Sequence, residues 1–228
     1  MSQQFVFHFS LSKEACIIME QAANCRPRRY LRSRITRKLI LDTALEVLLK
    51  EGYAKTTIAK ISDQAKVGYG TVYSHFKGKD DILNKVVDNV LDEFYSLREV
   101  PFTPASLKEA RKAYYQLVLT ALRLSEEHRP IMKVYQEALG QSASITGHWH
   151  NIIELFIKSA ARSFSYLQDK GLARQFNNQL AAKAYILLVD RFIWEVVNEK
   201  EENLKQVAEI IVDMLFHGFF LTNSNSKN

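Results

Sequence analysis

The 228-residue sequence lacks any long apolar segment and contains only two cysteines, and each shortage excludes a class of protein. The longest uninterrupted apolar run covers six residues, 184–189, whereas about 20 are needed to cross a bilayer, so no transmembrane segment is expected. Cys16 and Cys25 are too few for a disulfide framework or a clustered thiolate metal site. The sequence therefore predicts a cytoplasmic protein without a membrane association, a metal centre or a bound cofactor.

Proline is scarce as well, and its four positions divide the chain. The stretches 28–100 and 131–228 contain no proline, so long helices can form in both. Pro101 and Pro104 bias the residues before them away from helix, which places a domain boundary there. Because no stretch alternates apolar and polar residues as strands do, the sequence predicts an all-α fold.

The positive charge is concentrated in one block near the N-terminus. Residues 26–80 contain thirteen Lys or Arg and five Asp or Glu, a net charge of +8, whereas the segments on either side each carry −1. A basic block joined to a near-neutral remainder favours a polyanion-binding module attached to a module of another kind. A solvated basic face is the alternative interpretation.

Apolar residues recur at helical spacing through most of the chain. The first predicted helix spans 36–51, with Thr36 as its N-cap and Gly52 just past its end. The other predicted helices are a second one capped by Thr56 or Thr57, a short third one ending at Phe76, a fourth one opened by residues 78–81, and five more at 106–127, 130–139, 145–170, 178–199 and 203–221.

The last two predicted helices are each apolar on two sides. In the final helix, one stripe includes Leu204, Ile211 and Leu215, and a second includes Val212 and Phe216. The simplest arrangement packs one side of each helix on the core of its own chain and the other side on a second copy. The sequence therefore predicts a homodimer with a symmetric four-helix interface.

Residues 57–76 have the proportions of a helix-turn-helix, with one helix, a short glycine-containing turn and a second short helix. In the second helix, Val72 and Phe76 point to the core, while polar groups on the other side can reach base edges or phosphates. Seven basic residues in 26–38 and two lysines directly after the helix supply charge for phosphate contacts. The polar groups are Tyr69, Thr71, Tyr73, Ser74 and His75.

Three stretches, 36–53, 56–59 and 67–79, closely resemble the DNA-binding domain of the TetR family of transcriptional regulators. The last of them reads Val-Gly-Tyr-Gly-Thr-Val-Tyr-Ser-His-Phe-Lys-Gly-Lys. The resemblance implies an all-helical homodimer in which the first three helices bind DNA, the fourth leads to a ligand-binding domain and the last two dimerise. It also implies a DNA-binding set in which Thr57 lies near phosphate, Tyr69, Gly70 and Thr71 belong to the part of the helix that enters the major groove, and Tyr73, His75 and Lys79 meet the backbone.

Two positions depart from the family pattern. Lys66 stands where the family usually has glycine at the end of the second helix, so this lysine bears the cost of a left-handed backbone if the geometry is retained. Gly68 stands where a capping Ser or Thr commonly opens the recognition helix, and it caps less specifically.

The domain boundaries follow from these patterns. Residues 1–32 are expected to be a disordered extension, with a true start at Met19 as an alternative. Its Arg-rich end, 26–34, is interpreted either as an arm for the minor groove or as a tail that adds nonspecific affinity. Residues 33–80 form the predicted helix-turn-helix domain, and 81–228 the predicted ligand-binding and dimerisation domain.

Residues 101–222 contain fifteen aromatic side chains. They predict a pocket for an apolar or aromatic small molecule among the helices. The alternative for each single residue is a place in the hydrophobic core. The candidate ligand-binding residues are Tyr114, Tyr135, Trp149, Phe156, Tyr185 and Phe192.

The combined interpretation is a ligand-responsive transcriptional repressor rather than an enzyme. It is expected to bind a palindromic DNA operator as a homodimer and to be released by a small apolar or aromatic effector. A DNA-processing enzyme that uses the helix-turn-helix for targeting is one alternative, but 81–228 shows no nucleophile or carboxylates grouped with arginines. A helical small-molecule carrier is the other.

His148 and His150 are two residues apart, so on a helix they point away from each other and do not predict a metal site.

Overall fold

The computed structural model describes residues 27–96, 102–199 and 203–219, and this part of the chain forms nine α-helices and no strand. The predicted all-α fold is confirmed. The helices are α1 (Pro27–Lys55), α2 (Ile58–Ala65), α3 (Tyr69–His75), α4 (Lys79–Ser96), α5 (Leu107–Glu127), α6 (Arg129–Leu139), α7 (Ala143–Asp169), α8 (Asn178–Val197) and α9 (Leu204–Phe219).

The first three helices pack with the start of α4 around a small apolar core. Ile40 and Leu48 of α1 are buried there beside Ile61 of α2 and Ile82 of α4. Val72 and Phe76 hold the short α3 in the same core, as the sequence predicted. The opposite side of α3 is left facing solvent.

The first helix is longer than predicted. It begins at Pro27, a residue suited to the first turn of a helix, and no further proline or glycine interrupts it before Gly52. The prediction of Thr36 as an N-cap was therefore wrong, and the last part of the predicted extension, 27–32, is helical. Residues 1–26, with both cysteines, lie outside the described residues. Gly52 kinks the helix with φ 76° and ψ 173°, a conformation that glycine adopts readily.

The end of α2 has the left-handed backbone geometry that the resemblance to the family implied. Lys66 has φ 53° and ψ 39°, and its backbone N–H donates to Asp63 O at 3.3 Å. Val67 N–H donates to Ser62 O at 3.1 Å, so the last carbonyls of α2 are satisfied without a glycine. Gly68 then opens α3 without a side-chain hydrogen bond, as expected.

Helices α5 to α9 form the rest of the described fold, and their buried residues belong to the same hydrophobic core as those of α1 to α4. The long helices α7 and α8 pack along each other, and α5 lies against both α8 and α9. Four of these helices begin at capping side chains: Ser106, Ser142, Asn177 and Asn203 each accept a hydrogen bond from a backbone N–H three residues later. None of the described helices is both long and apolar enough to cross a membrane.

The last two helices expose apolar side chains on one side. Leu180 and Leu187 of α8 are 65% and 45% exposed, and Ile210 and Met214 of α9 are 49% and 59% exposed. The predicted second stripe of α9 was wrong in its composition, because Val212 and Phe216 are buried in the core of the same chain. The outward stripe lies two residues earlier on the helix.

The left-handed residue at the end of α2 makes a stability prediction. Replacing Lys66 by glycine removes the steric cost of its positive φ, so Lys66→Gly should raise the free energy of unfolding by about 1 kcal/mol. Chemical denaturation measures this change. The same substitution at Lys158, which is exposed within α7, should instead lower it by about 1 kcal/mol. Equal destabilisation by both substitutions would show that Lys66 bears no strain.

Candidate nucleic-acid interface and ligand cavity

The outer face of α3 is formed by two tyrosines. Tyr69 and Tyr73 are each about half exposed, with their ring centroids 5.1 Å apart and their hydroxyl oxygens 3.4 Å apart. The hydrogen bond to Tyr69 raises the pKa of Tyr73 above its ordinary value. Neutral phenols donate hydrogen bonds, which suits them to phosphate oxygens and to acceptors on base edges.

The remaining polar candidates lie around this pair. Thr57 caps α2, and its Oγ1 accepts from the N–H of Lys60 at 3.3 Å. Thr71 and His75 are half-buried on α3, and the position of a Cβ on Gly70 has no atom within 4 Å. Gly70 therefore leaves open space on the same helix.

The two lysines after α3 differ in their surroundings. Lys79 Nζ lies 3.9 Å from the centre of the Tyr53 ring and donates to Tyr53 O at 3.1 Å. The ammonium group of Lys79 therefore stabilises the end of α1, and its charge also adds to the positive potential of this surface. Lys77 is exposed, and among the described residues its one hydrogen bond is from its backbone N–H to Asp81 Oδ2, at 3.0 Å. The side chain of Lys77 is free to reach a phosphate.

An apolar cavity lies between α4, α5, α6, α7 and α8. The cavity has a volume of about 50 Å³, and the whole cleft with its open, solvent-filled mouth encloses about 730 Å³. Its lining is formed by Val90, Leu91, Leu117, Val118, Ala121, Leu124, Ser125, Met132, Trp149, Ile152, Ile153, Phe156, Tyr185, Ile186, Val189, Asp190 and Ile193.

One carboxyl group lies in this largely apolar wall. Asp190 of α8 accepts a hydrogen bond from Trp149 Nε1 at 3.1 Å. Burial raises the pKa of Asp190, against hydrogen bonds from Trp149 and Trp194 that lower it. The two indole rings lie 5.1 Å apart beside this carboxyl group.

The structure separates the six aromatic candidates into two groups. Trp149, Phe156 and Tyr185 line the cavity. The other three, Tyr114, Tyr135 and Phe192, do not: Tyr114 and Tyr135 are buried in the core, and Phe192 packs against it. The aromatic count alone could not distinguish these groups. It also could not indicate Val90, Leu91 and Met132, aliphatic or thioether side chains that the helix packing brings to the wall.

Hydrogen bonds join α1 and α4 to α6 and to the start of α7. Glu137 of α6 accepts hydrogen bonds from the backbone N–H groups of Tyr53 and Ala54, both at 3.2 Å, directly after the kink at Gly52. Asp80 of α4 accepts from the Tyr53 hydroxyl at 2.7 Å and from Ser142 Oγ at 2.6 Å. Burial and the hydrogen bond to Asp80 raise the pKa of Tyr53 to about 12. The end of α1 is therefore held by α4 and by α6.

Farther along α4, two more polar contacts join this helix to α6 and α7. The Tyr135 hydroxyl donates to Asn84 Oδ1 at 3.2 Å, and the Tyr135 ring lies 5.8 Å from that of Trp149. His148 Nε2 lies 2.9 Å from Asp88 Oδ1. Burial tends to raise the pKa of Asp88, but the hydrogen bonds from His148 and Lys85 lower it overall. Across the described segments, no three His, Cys, Asp or Glu side chains are grouped to hold a metal ion.

Comparison with known proteins finds the same organisation elsewhere. Residues 40–86 match the family model described as bacterial regulatory proteins, tetR family. The fatty acid metabolism regulator protein of Bacillus subtilis is 35% identical over 186 residues, which cover 78% of this chain and 93% of that protein.

Solved structures share the fold. SmeT in complex with triclosan has a TM-score of 0.68 at 21% identity, covering 83% of this chain and 93% of that chain. SmeT is the repressor of the Stenotrophomonas maltophilia multidrug efflux pump SmeDEF. NalD, the secondary repressor of the MexAB-OprM multidrug efflux pump in Pseudomonas aeruginosa, has a TM-score of 0.62 at 20% identity, covering 83% of this chain and 98% of that chain.

The contact between Glu137 and the end of α1 makes a second prediction. The carboxylate caps two backbone donors, so Glu137→Ala should lower the free energy of unfolding by about 1 kcal/mol, as loss of a helix cap does. Chemical denaturation again provides the measurement. Glu127→Ala serves as the control, since Glu127 is an exposed residue near the end of α5. Equal stability of the two variants would contradict the capping role.

Proposed function

Because the chain belongs to the TetR family of transcriptional regulators, we propose that it is a repressor that binds a palindromic operator as a homodimer and is released by a small apolar effector. Members of this family are DNA-binding regulators and not enzymes, so the chain is not a DNA-processing enzyme. It is a regulator rather than a simple carrier. Since the proposed target is chromosomal DNA, we place the protein in the cytoplasm.

One observation carries the proposal of ligand response. Val90 and Leu91 of α4 line the cavity, while Ile82 and Leu83 at the other end of the same helix are buried with the helix-turn-helix. A molecule in the cavity therefore contacts the helix that positions the DNA-binding elements. Such a ligand shifts the equilibrium between two conformations only by its difference in affinity for them, typically worth about 1–3 kcal/mol.

The proposed DNA contacts follow from the exposed face of α3. Tyr69 and Thr71 are the proposed readers of base edges, with Gly70 allowing close approach of the helix. Thr57, Tyr73 and His75 are the proposed phosphate contacts. We add Lys77, whose side chain is exposed, whereas Lys79 acts in this proposal partly by stabilising Tyr53.

The proposed dimer uses the outward stripes of α8 and α9. Leu180 and Leu187 on α8 and Ile210 and Met214 on α9 would face the same helices of a second copy. Large exposed apolar side chains on two adjacent helices are typical of such an interface. A dimer also places two recognition helices on one duplex, where half-sites about 34–36 Å apart are read together.

The composition of the cavity supports an apolar effector, with Trp149, Phe156 and Tyr185 as its aromatic contacts. Tyr114, Tyr135 and Phe192 lie outside this lining, so in our proposal they support the wall instead of touching the effector. The names of the relatives agree with an apolar effector. One relative regulates fatty acid metabolism, and SmeT was solved with triclosan.

Titration of an operator tests the whole proposal. We expect selection from random duplexes to yield a palindrome, bound by two chains, and at least one apolar compound of a broad panel to weaken that binding. Fluorescence anisotropy of labelled operator measures both. Binding of a single chain to a non-palindromic site, or unchanged affinity with every compound, would contradict the proposal.

Lys77 provides a specific prediction for the interface with DNA. If its ammonium neutralises one phosphate, Lys77→Ala should weaken binding to all duplexes and reduce the slope of log K against log salt by about 0.9 per site. Lys158→Ala, on the exposed side of α7, is the matched control and should leave the slope unchanged. A change in sequence preference with an unchanged slope would assign Lys77 a different role.

A further inference from the structure

The carboxyl group of Asp190 in the cavity wall restricts the charge of the effector, which the apolar surface does not. Asp190 is the one acid among the lining residues, and the lining contains no Lys, Arg or His. Within the described residues, Asp190 forms no ion pair, and its hydrogen-bond partners are the neutral indoles of Trp149 and Trp194. Buried charges in proteins are normally paired, so a carboxylate without a cation at a cavity wall is left available to a ligand.

The aromatic rings beside Asp190 favour the same kind of ligand. Trp149 and Trp194 lie 5.1 Å apart, and Trp149, Phe156 and Tyr185 all contribute to the lining. The faces of aromatic rings carry negative potential and attract cations. A carboxylate in a wall that also contains three aromatic rings therefore favours a positive group over a negative one.

From this geometry we infer that the effector is an apolar amine whose protonated nitrogen pairs with Asp190, and that a free fatty acid is excluded from this part of the cavity. The inference rests on the proposed function, because it names the chemical class of that same effector. It also argues against a fatty acid effector, since a fatty acid carboxylate would face Asp190 with no cation to neutralise it.

Three probes of one shape test this inference: 4-phenylbutylamine, 4-phenylbutan-1-ol and 4-phenylbutanoate. They share an aromatic ring and a four-carbon chain, and at neutral pH they carry a positive, a zero and a negative charge. The chain has two tryptophans, Trp149 and Trp194, and both lie beside Asp190. Intrinsic fluorescence of the full chain therefore reports binding at this site.

We expect the amine to bind at least about tenfold more tightly than the butanoate, as a charge-assisted hydrogen bond would provide, with the alcohol between them. In Asp190→Asn the amine and the butanoate should bind within about threefold of each other, because the charge is lost while the amide oxygen still accepts from Trp149. Asp169→Asn, at the exposed end of α7, is the matched control and should keep the full difference. Thermal unfolding of each variant verifies that it is folded.

The opposite results overturn the inference. The inference is wrong if the butanoate binds as tightly as the amine. It is also wrong if the preference for the amine persists in Asp190→Asn, or if none of the three probes binds.

Operator release, measured in parallel, distinguishes this inference from the proposed function. If the butanoate displaces the operator more effectively than the amine, the proposed function stands and the inference fails. If the amine binds through Asp190 without weakening operator binding, the inference stands and the release proposed for this site fails.

Discussion

Burial of α4 in two places is the constraint on which the rest of the structure depends. Its N-terminal half completes the core of the helix-turn-helix through Ile82 and Val86, and its C-terminal half forms part of the cavity wall through Val90 and Leu91. Because packed interiors are dense, α4 cannot move at one end without rearranging contacts at the other. The same apolar helix is thus packed both in the core of the helix-turn-helix and in the wall of the cavity.

Hydrogen bonds between helices supplement the apolar packing of α4. Asp80 and Asn84 on α4 accept hydrogen bonds from Ser142 and Tyr135, and Glu137 caps the kinked end of α1. Hydrogen bonds require particular distances and angles, whereas apolar packing tolerates sliding. The contacts therefore fix how α1 and α4 sit against α6 and α7, two of the helices that form the cavity.

The sequence predicted those features that depend on neighbouring residues. The helix-turn-helix, the burial of Val72 and Phe76 and the left-handed Lys66 all follow from local pattern and from the family resemblance. The cap on Tyr53 by Glu137 joins residues 84 positions apart and has no local signal. The cavity wall likewise depends on how five helices meet. Aromatic content predicted a pocket, but it could not separate the lining residue Tyr185 from the core residue Tyr114. Domain boundaries and site roles remain predictions.

The most direct measurement of the central claim is the distance between the two recognition helices of a dimer in solution. A spin label at Ser74→Cys, exposed on α3, in a chain with both native cysteines replaced by serine, gives this distance by pulsed electron resonance. With operator bound, we expect labels separated consistently with half-sites about 34–36 Å apart, and a displaced distribution when an effector that releases the operator is added. An identical distribution in both states, or no distance between chains at all, would contradict the account.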